Sequence, residues 1–473
     1  MRKYAVPYLM AVAVLVAMIA GCGGNSPSAP TATRSMQTRS VGGVDYLAIL
    51  DYYKNPVIPV SSKAFSPFVL AHGGQYYMWT NGVWGGAYMA TSPDGIQWSP
   101  LTPCTGLATY TKRPTVLYND QLGKFEVWYW NNGNMYHMSG YEHAVSTDGV
   151  NWTNRVACNQ YAAPHRPLYT LWGSGIGTYG PSQVFFNPSA TLTTPDYANP
   201  WNNRYVMYYD ALRPDNTEAL AMAVSPDGIT WGVATEGGCV LPPGPSGTWD
   251  CKSTGFASIF REAGEYHMYY GGANTMAGSG QGIGYATSID GLTWTRHSEP
   301  LIHANDGISW RKAVAGSPSV VVIDGRPRVY FCGRNDGSVA GIGFAMIDTT
   351  APVITLQTPV PDVLWAPKEG NVTVAFAGAF AEDESGLGTV SLQIDDEYGE
   401  LAQTIDLLPL VDSAGQFQIS VPLTAACLGG DRDGRLYTIT ATAVDKAGNA
   451  GTPVVVTAVA PHNSTGKPPK KDK

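Results

Sequence analysis

Between residues 44 and 348 the chain repeats one arrangement of apolar and polar positions five times. Each unit begins with a short apolar run, at residues 67–71, 114–118, 181–186, 257–260 and 318–322. A tight turn leads to an aromatic run, at residues 75–80, 124–130, 204–210, 265–271 and 327–333. A loop of variable length leads to a third run, at residues 87–92, 142–146, 220–225, 282–288 and 341–347. Alternation with a period of two, broken by Gly, Pro, Asn and Asp, predicts antiparallel strands joined by hairpins. In four units the third run passes into a Ser-x-Asp-Gly-x-x-Trp turn: Ser92 to Trp98, Ser146 to Trp152, Ser225 to Trp231 and Ser288 to Trp294. A fourth strand follows each Trp. These turns are 54, 79 and 63 residues apart, so loops vary while the unit persists. Five four-stranded units predict a five-bladed β-propeller over residues 44–348.

The repeated turn reads as structural. Asp supplies an Asx-type turn, Gly takes a positive φ, and Trp packs between blades. It is one residue shorter than the sialidase Asp-box, so no sialidase activity is carried over. The fifth unit ends near Asp348 without the Asp-Gly turn or a fourth strand. Asn55–Val60 resembles the fourth-strand segments Ser99–Cys104 and Glu299–His303. The N-terminal strand is therefore expected to close blade five and remove two exposed sheet edges.

After a short linker at Thr349–Pro352, strand-like runs and turns at wider spacing predict an immunoglobulin-like sandwich over residues 349–462. Charge marks the same boundary: residues 1–350 carry 21 basic and 22 acidic side chains, residues 351–473 carry 8 and 15. The chain is thus expected to be all-β, a five-bladed β-propeller followed by an immunoglobulin-like β-sandwich. Residues 463–473 form a basic tail that reads as disordered. The net charge of −8 argues against a nucleic-acid partner. The 44% hydrophobic content is enough for a real core.

Arg2 and Lys3 precede an apolar stretch over residues 4–20, the form of an export signal. Ile19-Ala20-Gly21-Cys22 resembles the bacterial lipobox. The resemblance implies that residues 1–22 are a lipoprotein signal, that Cys22 is acylated, and that residues 23–43 are a flexible tether. Gly23, where enterobacterial inner-membrane lipoproteins carry Asp, favours the outer membrane of the cell envelope. In such an oxidising compartment Cys239 and Cys251, which flank a Pro/Gly loop, are the expected disulfide. Cys104 and Cys158 are a second candidate pair, and Cys332 and Cys427 read as buried thiols. The cysteine and histidine spacing suggests no metal, and no cofactor is expected. Asp431 and Asp433 hint at calcium, with a plain turn as the favoured reading.

The blade grammar resembles the five-bladed propeller glycosidases: arabinanases, β-xylosidases, invertases and their relatives. In that group carboxylates stand at the starts of inner strands around the funnel and act as base or nucleophile and as acid. Here the corresponding positions read Ser66-Pro67, Arg113-Pro114, Tyr179-Gly180-Pro181, Ser253-Thr254-Gly255 and Gly316-Ser317-Pro318. None is a carboxylate, which points to a degenerate or differently wired site. Topology leaves Glu142, Asp210, Asp215, Glu218, Asp250, Asp306 and Asp336 on the funnel face. Asp210, after the aromatic second strand, and Glu142, at the start of a third strand, are the candidate catalytic pair; loop solvation or salt bridges are the alternative.

Basic residues gather before inner strands at Lys112, Arg113, Lys252, Arg311 and Lys312, with Trp172, Trp249 and Trp310 in the same connections. Trp84 lies in the blade-one loop on the same face. With Tyr179 these residues form a candidate substrate-binding set, since rings stack on sugar faces and Arg and Lys grip carboxylate or phosphate. Solvated lysines and tryptophans that pack loops onto blades are the alternative. Three readings stand: a glycosidase-like enzyme with a non-standard site, a carbohydrate-binding module, and an envelope assembly scaffold. The expected partners are a polysaccharide or oligosaccharide, anionic where the basic set grips it, and a membrane through Cys22.

Overall fold

The computed structural model describes residues 40–41, 44–131, 140–160, 178–213, 215–234, 239–275, 281–335, 339–365, 370–381 and 384–462. The described residues 44–348 form five propeller blades of antiparallel strands, the third and fourth joined into one ten-stranded sheet by the parallel pairing of Glu218 with Ser253. Their inner strands are Phe65–His72, Thr111–Asn119, Thr178–Phe186, Ser253–Glu262 and Val314–Ile323. Each inner strand touches the next around the axis, and the fifth touches the first. Apolar clusters fill the gap between every pair of adjacent blades.

Blade five is closed by the N-terminal segment. Ile58–Ser61 pairs with Ala340–Met346 through Ile342↔Ile58 and Ala340↔Ser61, and Leu50–Asp51 pairs with the far end of the same strand. Between them the side chain of Asn55 exchanges two hydrogen bonds with the backbone of Phe344, at 2.8 and 2.9 Å. The amide thus stands in for a strand residue and continues the cover along the edge of blade five.

The repeated turns form a ring. In each, Asp accepts from two backbone N–H groups, as Asp94 does from Ile96 and Gln97 at 2.8 Å. The glycine has φ between +74° and +77°. Its carbonyl accepts from an aromatic of the preceding blade. Trp79 donates to Gly149 at 2.8 Å, Trp128 to Gly228 at 2.7 Å, Tyr208 to Gly291 at 2.6 Å and Tyr330 to Gly95 at 2.8 Å. The four donors occupy the same position of their second strands. Blade five has no such turn, and Tyr269, the fifth equivalent, donates to the carbonyl of Tyr46 at 2.9 Å. The N-terminal segment therefore supplies the missing acceptor as well as the missing strand.

All five inner strands also share a bulge near their starts. Ser66, Arg113, Phe256 and Ser317 have φ between +45° and +51°, Gly180 has φ +132°, and the register shifts there in each blade. Proline follows in four blades, where its missing N–H costs the bulged ladder no donor. The bulges turn these five residues toward the axis and so place the candidate site.

Beyond Asp348, three strands face four in a two-sheet sandwich over a single apolar cluster. It is tied to the propeller through Asp348, whose Oδ2 accepts from Ser385 N at 3.0 Å and whose carbonyl accepts from Asn449 at 3.2 Å. Tyr53 N donates to the carbonyl of Glu384 at 3.3 Å.

Candidate functional site

At the axis, the Arg113 side chain leaves the blade-two bulge and reaches blade three. Its guanidinium forms an ion pair with Asp210 and lies 3.5 Å from the centroid of the Phe256 ring of blade four. Asp210 is fully buried and also accepts from Ser182 Oγ at 2.6 Å and from Phe256 N at 3.0 Å. Gly255 permits this approach, because a Cβ there would fall 2.8 Å from the Asp210 carboxyl carbon. Three blades are thus joined by one buried network, in which the Asp210 carboxylate has both a charged donor and fixed neutral ones.

Glu218 stands behind this pair. Its Oε2 accepts from Ser253 Oγ at 2.6 Å and its Oε1, 4.0 Å from Arg113 Nη2, is buried without a hydrogen bond. Burial and the Asp210 charge push its carboxyl up to about 7, against the pull of Arg113 and Ser253. One carboxylate is therefore held by an arginine, while the other keeps its proton to a higher pH than a free carboxyl does. The space for chemistry is missing. The axial cavity, lined by Ser66, Arg113, Pro181, Phe256, Ser317 and their neighbours, is about 30 Å³. That holds a water, whereas ligand pockets span roughly 300–1,000 Å³. Asp210 and Glu218 are not among its described lining residues.

The expected pair Asp210 and Glu142 is not brought together. Glu142 is bound by the Tyr129 hydroxyl, by Asn131 Nδ2 at 2.9 Å and by Arg155 Nε at 3.5 Å, partners from the second and outer strands of blade two. Asp210 draws its partners from inner strands. Glu218, another of the seven funnel-face carboxylates in the sequence, shares the Arg113 network with Asp210. Its local sequence does not distinguish it, because Arg113 and Ser253 reach it from other blades.

The basic set disperses likewise. Lys112 is half-buried and its Nζ donates to the carbonyls of Gly82 and Val83, each at 2.7 Å. Arg311 is 2% exposed and pairs with Asp51 and Asp306. With Arg113 bound to Asp210, three of the five expected cations are occupied internally; Lys252 and Lys312 are exposed. Trp249 lies against Gly272 and Gly284, and Trp310 against Gly333 and Gly343, each ring packing its loop onto its own blade. Cys22 and Trp172 lie outside the described residues, and of Tyr179 only the backbone, in the blade-three inner strand, is described.

The expected Cys239–Cys251 disulfide is not formed; all six described cysteines are free thiols. Val240 N is held by the carbonyl of Leu220, while Cys251 N closes a turn onto Thr248. The two cysteines are thus anchored to different elements. Cys104 and Cys158 pack in different interblade clusters, one between blades one and two, the other between two and three. Among the described residues no cluster of metal-ligating side chains occurs.

No family model and no curated protein matches the chain. Solved structures do. One, described as a glycoside hydrolase, has TM-score 0.49 and 17% identity over 64% of this chain and 94% of its own length. A thermostable family-43 glycoside hydrolase has TM-score 0.46 and 20% identity over 63% and 93%. An α-L-arabinofuranosidase from Lactobacillus brevis has TM-score 0.44 and 14% identity over 63% and 93%. The structures to which this chain is similar thus include glycoside hydrolases. Likeness at this identity says nothing of the reaction or the substrate.

Proposed function

We propose that this is an exported, lipid-anchored propeller that binds an extracellular or envelope polysaccharide and does not hydrolyse it by the paired-carboxylate route. The reading rests on the axis, where Arg113, stacked on Phe256 and paired with Asp210, leaves a cavity of about 30 Å³. The paired-carboxylate route places two carboxyl groups on either side of the scissile bond, about 5–9.5 Å apart. Here the inner-strand starts that resemble the carboxylate-bearing positions read Ser66, Arg113, Tyr179, Gly255 and Ser317, and the carboxylates nearby are held by protein partners. Because Lys112, Arg113 and Arg311 are occupied internally, the glycan favoured is neutral. The lipobox-like Ile19–Cys22 supports the anchor.

The test is affinity electrophoresis of the mature chain in detergent through gels containing xylan, galactan, mannan or polygalacturonate, with product analysis of the same mixtures. Retardation by a neutral polymer without new reducing ends is expected. Turnover that is lost in both Asp210→Asn and Glu218→Gln would instead establish an enzyme using this network. Cys22→Ser is expected to leave the protein unacylated and released from membranes; unchanged fractionation would remove the anchor from this reading.

A further inference from the structure

Most large aromatic side chains in the propeller are buried, and Trp84 is the clearest exception at 83% exposed. It sits at the tip of the loop joining the second and third strands of blade one, on the face where the inner strands begin. The tip is not loose. Gly82 N donates to Gly86 O and Gly85 N to Gly82 O, both at 3.0 Å, and Val83 N donates to Ser62 O at 2.8 Å. Gly85 and Gly86 have φ of +104° and +81°, so the reversal is one that other residues resist. Lys112 then staples the loop from blade two, its Nζ shared between Gly82 O and Val83 O. Asn81, which is buried, donates to Gly82 O at 3.1 Å and accepts from Arg113 N at 3.0 Å.

This mount sets the Trp84 loop against the segment that carries a second exposed ring. A Cβ on Gly85 would lie 2.7 Å from Tyr110 Cα and 2.9 Å from Thr109 O, so the loop backbone lies directly on the segment carrying Tyr110. Tyr110 is 50% exposed. Lys63 stands near the base of the loop, its Nζ 5.3 Å from the centroid of the Tyr88 ring, which itself lies against Gly86. The loop backbone groups named above are satisfied, so no open strand edge is offered to a peptide. Two rings in a polar surround make too small an apolar patch for a stable protein interface. A ligand with one apolar face and a polar edge fits: a pyranose ring, whose C–H face lies on the indole while its hydroxyls stay in water or meet Tyr110 and Lys63.

We propose that Trp84 and Tyr110 form a rim platform that binds a neutral polysaccharide by stacking on its sugar rings, and that Lys112 is its positioning residue. This rests on the carbohydrate-binding reading above. The experiment compares the mature full chain with Trp84→Ala, Trp84→Phe and Tyr110→Ala in gels containing xylan, galactan, mannan or polygalacturonate. Because both rings are exposed, melting temperatures should stay unchanged, which separates lost binding from lost folding. Trp84→Ala is expected to weaken retardation roughly tenfold and Trp84→Phe less, with Tyr110→Ala between them. Equal retardation of wild type and Trp84→Ala would overturn the platform and leave the binding reading intact. Retardation by polygalacturonate alone, abolished by salt, would also overturn it. Failure of every polymer to retard the wild type would overturn both.

Discussion

In blade four the residue after Trp249 is an aspartate; in blade five the residue after Trp310 is an arginine. The surroundings are otherwise matched. Each Trp covers two glycines at equivalent strand positions. Asp250 accepts from Arg296 of its outer strand at 2.5 Å and from the Tyr270 hydroxyl at 3.0 Å. Arg311 pairs with Asp51 of its own outer strand, and its guanidinium lies 5.7 Å from the Phe331 ring centroid. Tyr270 and Phe331 are equivalent, facing Gly284 and Gly343 in the register. The hydroxyl is present where the loop charge needs a donor and absent where it needs a π face. What is kept between the blades is complementarity between the entry loop and the outer strand, while the sign of the loop charge is free. Arg311, a cation placed before an inner strand, therefore reports how its loop is fastened.

The strongest way to break this comparison is Arg311→Ala. It removes a buried charge and leaves Asp51 and Asp306 facing each other, so a loss of about 3–5 kcal/mol is expected in denaturant unfolding. A loss no larger than at a surface site would mean that the loop is fastened by Trp310 alone.

Glu218 supplies the contrast of a buried carboxylate without a cation fully in place. Its carboxyl is raised from 4.5 to about 7 in the folded protein. The folded state then binds the proton more tightly than the unfolded chain, so this contribution is complete at low pH and declines between about 4.5 and 7. The decline should be on the order of 3 kcal/mol. Glu218→Gln is expected to flatten that part of the stability profile, and a variant that keeps the wild-type slope would show another group to be responsible.

The aromatic ring gives a closer test of blades four and five. Tyr208→Phe removes a donor to an Asp-Gly turn, and Tyr269→Phe removes the donor to the Tyr46 carbonyl that replaces one. Each should cost about 1–2 kcal/mol, because a buried carbonyl loses its partner. Clearly unequal melting shifts would show that the N-terminal segment is a weaker substitute. The smallest net effect is expected for an inversion. Asp250→Arg alone sets two arginines together, whereas Asp250→Arg with Arg296→Asp and Tyr270→Phe rebuilds the blade-five arrangement in blade four. The triple variant should fall within about 1 kcal/mol of wild type, with coupling of about 0.5–3 kcal/mol between the changes, measured by a mutant cycle.

The parts legible in the sequence are those with near partners. Ser92, Asp94 and Gly95 bond one another and residues up to Gln97, so the turn carries its own instructions. Asn55–Val60 can be assigned to blade five because a strand needs an edge and only one unit lacks its fourth strand. The site is harder. Asp210 stands out for following an aromatic strand, and it does lie at the axis, but as the partner of Arg113, 97 positions away. Glu142 satisfies the same funnel-face criterion and is held within blade two by Tyr129 and Arg155. Trp84 is a funnel-face Trp like Trp249 and Trp310, and nothing local tells the exposed ring from the packed ones.

The sequence by itself determined the repeat, its turns, the closing strand and the absence of carboxylates at the inner-strand starts. Each of these depends on periodicity, on bonds spanning a few residues, or on residue identity at a fixed place in a unit. Only the tertiary structure decided the fate of the charged and aromatic side chains. Whether Arg113, Lys112 or Arg311 meets a ligand or a neighbour depends on which blade stands beside it. The low dielectric of a closed axis then makes pairing within the protein far more favourable than leaving a charge alone.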